Sequence, residues 1–304
     1  MLVENPVVPV VEVSALNIYP VKSLRGIQVK EAELGITGLA YDRHWMVVDE
    51  QGQFVTQRNL AKMALVEVEL TTDNLVLKYA DLPPLEIPLQ MQTQLLQECS
   101  VVVWGDECRA VDEGAEASQW LTEALGQWKG GDLRLVRFAE NHTRPVEPDF
   151  LQKEKAHTEF PDAYPFLIAN EASLALLNSN LQAKGSLTVS IDRFRANIVL
   201  KGLEAFQEDQ LAEITASRQD AAQSNNNSDK HPGFKIALRK PCQRCKVTSI
   251  DQYSGEIVEP KEPLATLVQM KTQPELKGAY FGQNGILLCG EGQMIRVGDK
   301  LSYQ

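Results

Sequence analysis

The chain has 304 residues, 43% of them hydrophobic and 23% charged, and its formal net charge is −11 at pH 7. This composition is typical of a soluble globular protein with one large domain or two packed domains. The negative charge argues against bulk attraction to nucleic acid or to an anionic membrane, but it is compatible with a local basic pocket. No apolar run approaches the roughly 18 residues of a membrane span, and residues 1–13 lack the basic and apolar regions of a secretory signal.

Cysteine usage indicates a reducing compartment. The chain has five cysteines, an odd number, and the absence of a recognisable secretory signal argues against a disulfide framework. We therefore predict a cytoplasmic protein. Cys99, Cys108 and Cys289 are interpreted as small buried hydrophobic side chains.

Short strands are predicted throughout the first part of the chain. Residues 11–19 partly alternate between apolar and polar, and residues 45–49 and 53–57 flank a turn that predicts a hairpin. Further short strands are predicted at 65–70, 75–78, 85–89, 101–104 and 108–111. Many short strands at this spacing favour a barrel or sandwich over a parallel α/β sheet.

A helix interrupts this pattern at 113–125, where apolar residues recur at helical spacing. Glycines at 126–132 mark the best domain junction, so we divide the chain into domains at 1–128 and 129–304. In the second domain, Asn170 is predicted to cap a helix with Leu174, Leu177 and Leu181 on its buried face. The polar stretch 217–233 is predicted to be a mobile surface insertion. The remaining elements are predicted as strands, at 133–138, 198–200, 234–238, 246–250, 286–289 and 294–297.

Two cysteines three positions apart are the most informative feature. Cys242 and Cys245 lie in a run with Gln243, Arg244 and Lys246, and the neighbouring cations favour a thiolate, the form that binds metals and attacks electrophiles. A zinc site needs further ligands at defined spacing, and a thioredoxin-like pair should begin a helix. The remaining interpretation is one thiolate that holds a metal or sulfur atom.

Two basic segments near the N-terminus are candidate anion sites. Lys22, Ser23 and Arg25 combine two charges and a hydroxyl within four residues, a mixture that can hold a phosphate or form a solvated basic turn. Arg43 begins a strand beside Asp42. It can bind phosphate or carboxylate in a bidentate way, or it can form a structural ion pair.

A third candidate anion site precedes a buried strand. Arg193, Arg195 and Asn197 are crowded at its start, and charges beside a buried strand need partners. An anionic ligand is one such partner. An internal ion pair with Asp192 or with residues 208–209 is the other.

Taken together, these segments resemble the MOSC superfamily, in its two-part branch of amidoxime-reducing components. The resemblance is carried, in order, by Tyr19-Pro20-Val21-Lys22-Ser23, Asp42-Arg43, Phe194-Arg195-Ala196-Asn197-Ile198-Val199 and Pro241-Cys242-Gln243-Arg244-Cys245. It implies a mainly β fold with a few helices, in which an N-terminal β-barrel-like domain packs on a MOSC β-barrel domain.

The resemblance also implies a function. It points to a molybdenum-cofactor reductase of small N-hydroxylated compounds, with the Cys245 thiolate as the molybdenum ligand. The pterin and phosphate of that cofactor would be held by Lys22, Ser23, Arg43, Arg195, Asn197, Gln243 and Arg244. Because the sequence lacks the cysteine spacing of a plant-type ferredoxin, electrons are expected from a separate electron-transfer protein.

Two alternatives stay open. One is a sulfur carrier that holds a persulfide on Cys245 and is loaded by a partner desulfurase. The other is a binding module in which Cys242 and Cys245 join Cys289 or Cys108 around structural zinc. Of the two clustered cysteines, we expect Cys245 to carry the function, Arg244 to be its electrostatic neighbour and Cys242 to be a bystander.

Overall fold

A computed structural model describes residues 10–90, 97–216 and 233–304 of the chain. Apart from Gly233, the predicted insertion at 217–233 lies outside these residues. No helix in the described part is both long and apolar enough to cross a bilayer. The strands of this part are β1 (Val10–Ile18), β2 (Val21–Lys22), β3 (Ile27–Val29), β4 (Glu31–Gly35), β5 (Gly38–Leu39), β6 (Trp45–Val48), β7 (Glu67–Leu70), β8 (Asn74–Lys78), β9 (Leu85–Pro88), β10 (Gln97–Val103), β11 (Asp106–Asp112), β12 (Arg134–Phe138), β13 (Arg144–Pro145), β14 (His157–Thr158), β15 (Phe166–Asn170), β16 (Ile198–Lys201), β17 (Glu213–Thr215), β18 (Lys235–Gln243), β19 (Tyr280–Cys289), β20 (Met294–Arg296) and β21 (Lys300–Tyr303).

The helices of the described part are α1 (Ala115–Leu125), α2 (Glu171–Ala183) and α3 (Leu264–Met270). Both predicted helices are confirmed. The side chain of Asn170 accepts a hydrogen bond from the backbone N–H of Ala172, so it caps α2 as its residue type favours. Leu177 and Leu181 of α2 are fully buried.

Seven strands form a closed barrel, in the order β16-β15-β19-β18-β17-β21-β1, which the pairing of β1 with β16 closes. Only β15 and β16 run parallel among these pairs. A bulge between Val13 and Ala15 shifts the alternation of β1, so Leu16 and Ile18 are buried like Val11 and Val13. These side chains help to fill the barrel core.

A second sheet, in the order β10-β11-β12-β6-β2, forms the other part of the molecule. Helix α1 packs against it, because Trp120 and Leu121 on the buried face of the helix join Trp45 and Leu135 in one apolar cluster. The described part of the fold also has two three-stranded sheets, β7-β8-β9 and β20-β4-β5, and the two-stranded sheet β13-β14, while β3 pairs with β1 at the side of the barrel.

The two parts of the molecule exchange strands across the predicted boundary. Strand β1 lies before residue 128 but belongs to the barrel, whereas β12 lies after residue 129 but belongs to the second sheet. The boundary at 128/129 therefore stays a prediction, because the two parts of the fold do not separate at a single point of the chain. The exchange ties the two parts together and brings the segment after β1 close to the barrel.

Three local predictions are wrong. Residues 246–250 do not form a strand, because Lys246–Ser249 is a 3₁₀ turn in which the N–H and hydroxyl of Thr248 both donate to the carbonyl of Cys245. The predicted strand at 53–57 is reduced to isolated bridges, since the Asp49 carboxylate accepts from the N–H of Gln53 and closes a turn. Cys289 is exposed and Cys99 is half-buried, while Cys108 is buried as predicted.

Candidate functional site

A cavity of about 450 Å³ lies between the barrel and the second sheet. It brings together all eight residues that the family resemblance assigns to the cofactor site, which come from four separate stretches of the chain. They are Lys22, Ser23, Arg43, Arg195, Asn197, Gln243, Arg244 and Cys245. The other two basic candidates, Arg25 and Arg193, do not line the cavity and pair instead with Glu67 and Asp251. The convergence is an observation, whereas the roles assigned to these residues stay predictions.

Ends of elements place these side chains. Lys22 ends β2, and Gln243 ends β18, from which the chain continues directly to Cys245. Arg195 follows a 3₁₀ turn and has a left-handed backbone (φ 55°), as do Ser23 (φ 68°) and Arg43 (φ 51°). Left-handed geometry is uncommon for residues with a side chain and is often found at functional sites.

The cavity is strongly cationic. Six basic side chains line it, and Asp162 is the one carboxylate among the lining residues that the structure describes. The basic residues are Lys22, Arg43, Arg58, Arg195, Lys240 and Arg244. Since the chain as a whole carries a charge of −11, this local excess of positive charge marks a site for an anionic ligand.

Two arginines share the ring of Tyr19. The guanidinium carbons of Arg43 and Arg195 lie 4.3 Å and 4.2 Å from its centroid. Burial, and then the charge of Arg43, lower the pKa of Arg195 to about 10. The Nη2 atom of Arg195 is buried and has no hydrogen-bond partner among the described residues. A cationic donor held in this way is ready for an anion.

Asn197 lines the cavity and also holds neighbouring parts of the structure together. Its Oδ1 accepts from the backbone N–H of Leu167 (3.1 Å) and from the Nη1 of Arg43 (3.2 Å), and its Nδ2 donates to the carbonyl of Asn17 (3.3 Å). The asparagine therefore holds Arg43 in place. Asp42 does the same from the other side, because its carboxylate accepts from both Arg43 and the N–H of Tyr19.

Asp162 connects three side chains of the cavity. Its carboxylate accepts from Lys22 Nζ (2.5 Å), Arg58 Nη2 (2.7 Å) and Trp104 Nε1 (3.0 Å). Burial acts to raise the pKa of Asp162, but Lys22 and Arg58 hold it well below its usual range. Burial lowers the pKa of Lys22 to about 8, against the opposing effect of Asp162.

The two clustered cysteines have different arginine partners, and the expected one is corrected. Arg244 donates from Nη1 to the sulfur of Cys242 at 2.8 Å and from Nη2 to the carbonyl of Phe194 at 2.7 Å. The guanidinium beside Cys245 is that of Arg58. Burial acts to lower the pKa of Arg58, but Asp162 and the nearby Cys245 raise it overall.

Arg58, Trp104 and Asp162 are site residues that the sequence did not reveal. Arg58 follows a predicted strand and Trp104 lies in a hairpin turn, and neither has a local pattern that points to a site. Their contacts with Asp162 span 104 and 58 positions of sequence. Only the fold brings them together.

The zinc alternative gains no support from the geometry. Within residues 10–90, 97–216 and 233–304, no group of three or more His, Cys, Asp or Glu side chains is arranged to hold a metal ion. Cys108 lies in the apolar core of the second sheet, and Cys289 ends β19 on the surface.

Comparisons with known proteins identify the relatives of the chain. The profile of the MOSC N-terminal beta barrel domain matches residues 10–128, and that of the MOSC domain matches residues 155–302. The mitochondrial amidoxime-reducing component 1 of Xenopus laevis is 33% identical over 302 residues, which cover 94% of this chain and 80% of the relative. Its human counterpart is 33% identical over 301 residues, which cover 94% and 81%.

A second type of relative gives the same result. The mitochondrial amidoxime reducing component 2 of Bos taurus is 33% identical over 278 residues, which cover 88% of this chain and 75% of the relative. These matches confirm the predicted resemblance and the mainly β, two-domain architecture. The chain therefore belongs to the MOSC family, in the form in which a MOSC N-terminal beta barrel domain precedes the MOSC domain.

Proposed function

We propose that the chain is a molybdenum-cofactor-dependent reductase of small N-hydroxylated compounds that receives electrons from a separate electron-transfer protein. The observation that carries the proposal is the convergence of the eight predicted residues on one cationic cavity. The name of the relatives, amidoxime-reducing component, supports the same class of substrate.

The side chains of the cavity suit a ligand that combines a phosphate with a soft metal centre. Arg195 Nη2 and Arg244 Nε are buried donors without a partner among the described residues, and a phosphate would satisfy such donors. The half-buried thiol of Cys245 is a soft donor of the kind that suits molybdenum. The cofactor would thus be held by Cys245 and by the seven other predicted residues.

When bound, the cofactor would supply the two electrons that break the N–O bond of the substrate. The reaction also consumes two protons and releases one water, so the chain must deliver protons to the cavity. Lys22 is placed for this task, because its Nζ lies in the cavity wall, where it donates a hydrogen bond to the ionised carboxylate of Asp162. With a pKa of about 8, Lys22 Nζ can hold and release a proton near neutral pH.

Arg58 has a separate task in this proposal. It pairs with Asp162 and lies near Cys245, and both of these groups raise its pKa, so Arg58 stays positively charged beside the proposed ligand atom. A cation in this position would also suit a persulfide on Cys245, the alternative of a sulfur carrier. The two proposed functions therefore differ in what Cys245 carries.

The proposal is tested with protein produced in a host that makes the molybdenum cofactor. With a chemically reduced dye as electron source, the protein should convert an amidoxime into the amidine, and Cys245→Ser should abolish this conversion. Full activity of Cys245→Ser would overturn the proposal. If the wild-type protein is metal-free and gains sulfur on Cys245 after incubation with a desulfurase, as intact-mass analysis would show, the sulfur carrier is the better account.

A further inference from the structure

Trp104 lies in a hairpin turn at a position where a tryptophan is unfavourable. It lies between β10 and β11, where Val103 pairs with Asp106, so the connection has only two residues. Trp104 has a φ of 54° and Gly105 has a φ of 94°, so both central residues are left-handed. Asparagine, aspartate and glycine are preferred in such hairpin turns, and a bulky aromatic residue is not. The turn therefore gives no reason for a tryptophan.

The core gives no reason for it either. The side chain of Trp104 is 51% exposed, whereas Trp45 and Trp120 are packed into the apolar interior. The exposed indole nonetheless lines the cavity that contains Cys245. An aromatic side chain that is kept out of the core and placed at a candidate active site indicates contact with a ligand.

The other aromatic residues of the described cavity lining cannot take this role. Tyr164 is only 4% exposed and belongs to a separate apolar cluster. Phe194 is fully buried, and its ring stacks on Phe281 with centroids 4.0 Å apart. Trp104 is therefore the aromatic surface that this cavity offers to a ligand.

Neighbouring side chains fix the indole. Its Nε1 donates to Asp162 Oδ1 at 3.0 Å, the guanidinium carbon of Arg58 lies 4.6 Å from the ring, and the ring of Phe54 lies 5.1 Å away at a tilt of 57°. A surface that is already ordered costs little conformational entropy when a ligand packs on it. The part of the indole that these neighbours leave exposed is preorganised for binding.

We propose that Trp104 is a specificity-determining residue, on whose exposed indole surface the flat, conjugated body of an N-hydroxylated substrate packs. The inference rests on the proposed function and deepens it. The cationic side chains of the cavity have no aromatic face to match such a body, and Trp104 supplies one. The site then prefers aryl-substituted substrates over small alkyl ones with the same reacting group.

The test compares two amidoximes that share the reacting group and differ only in a phenyl or a methyl substituent, benzamidoxime and acetamidoxime. In Trp104→Asn, which suits the left-handed turn, KM for benzamidoxime should rise about tenfold, while KM for acetamidoxime changes less than about twofold. Trp104→Phe should keep most of the preference. Trp128→Phe, which changes a tryptophan outside the cavity lining, should behave as the wild type.

An equal loss for both substrates would overturn the inference, because it would show that Trp104 acts by holding Asp162 and Arg58. No change for either substrate would overturn it as well.

Fluorescence separates this inference from the proposed function. Benzamidoxime should quench the tryptophan emission of the wild type and of Trp128→Phe, and the quenching should be lost in Trp104→Asn. If the wild type reduces neither amidoxime but shows this quenching, the proposed function fails and the binding surface on Trp104 stands. Quenching that is the same in Trp104→Asn and in the wild type overturns the inference, whatever the turnover.

Discussion

Arg244 donates a hydrogen bond to the sulfur of Cys242 at 2.8 Å and so ties that cysteine to the carbonyl of Phe194 through one guanidinium. Cys245, three positions later, has a different cation beside it, Arg58. The two thiols of the Cys-x-x-Cys pair are therefore not equivalent. Cys242 acts as an anchor for an arginine of the cavity, and Cys245 is the thiol proposed to carry the chemistry.

This asymmetry predicts different results for the two serine variants. In Cys242→Ser the hydroxyl oxygen can still accept from Arg244, so the molybdenum content and the amidoxime reduction should fall by no more than about twofold. Cys245→Ser should lose both. Metal analysis and turnover measured on the two variants side by side check this, and equal losses would contradict the assignment.

We expect Arg195 to destabilise the cofactor-free protein and to stabilise the protein that has bound an anion. The Nη2 atom of Arg195 is buried close to Arg43 and has no partner among the described residues, and asparagine tolerates the left-handed backbone at this position. We expect Arg195→Asn to raise the melting temperature of the cofactor-free protein and to remove the stabilisation that millimolar inorganic phosphate gives the wild type. Phosphate stabilisation that survives in the variant would contradict this role.

Asp162 should be coupled energetically to Lys22. Asp162→Asn leaves the buried ammonium of Lys22 without its carboxylate and should lower the free energy of unfolding by about 2 kcal/mol, below the usual cost for a buried pair because Asp162 is half-exposed. Adding Lys22→Met should recover part of this loss. Chemical denaturation of the single and double variants checks the coupling, and strictly additive effects would argue against it.

A surface pair in the same region provides the control for this cycle. Glu147 pairs with Lys240 at 2.7 Å, but its side chain is 55% exposed. Glu147→Gln should therefore change the free energy of unfolding by less than about 0.5 kcal/mol.

Glu208 should make stability depend on pH. Burial, and then the charge of Asp209, raise its pKa to about 7, while one carboxyl oxygen accepts from Ser173 Oγ (2.8 Å) and the other lacks a partner among the described residues. Because the folded state holds this proton up to a higher pH than the unfolded state, the contribution of Glu208 to stability is fully present below about pH 4.5 and is lost as the pH rises through 7.

Glu208→Gln removes this titration. The free energy of unfolding of the variant relative to the wild type should grow by on the order of 2–3 kcal/mol between pH 5 and pH 8. The exposed neighbour Glu204 provides the control, since Glu204→Gln should show no such trend. Parallel pH profiles for Glu208→Gln and the wild type would contradict the account.

Local chemistry predicted a large share of the site. Clustered basic side chains, arginines beside a buried strand and a Cys-x-x-Cys pair marked the four stretches that the cavity unites, and the family resemblance joined them into one site. These patterns could not find Trp104 or Arg58, since their link to the site is Asp162, which lies far away in sequence. Adjacency in sequence named Arg244 as the electrostatic neighbour of Cys245, but the guanidinium of Arg244 binds Cys242 instead, because adjacency does not fix where a long side chain points.

The fold shows the same limit. Alternation predicted that the chain near Val11 forms a strand, but it could not show that this strand joins the barrel while β12 joins the other sheet. Residues 246–250 alternate like a strand, yet the two bonds from Thr248 to the carbonyl of Cys245 turn the chain into a 3₁₀ conformation. Tertiary pairing and side-chain bonds to the backbone decide these cases.

The most direct test of the central claim is the molybdenum and pterin content of freshly purified protein from a host that makes the cofactor. The account predicts roughly one molybdenum per chain for the wild type and for Cys242→Ser, since a single thiolate ligand is proposed, and little or none for Cys245→Ser. A metal-free wild type, or a Cys245→Ser variant with full molybdenum content, would contradict it.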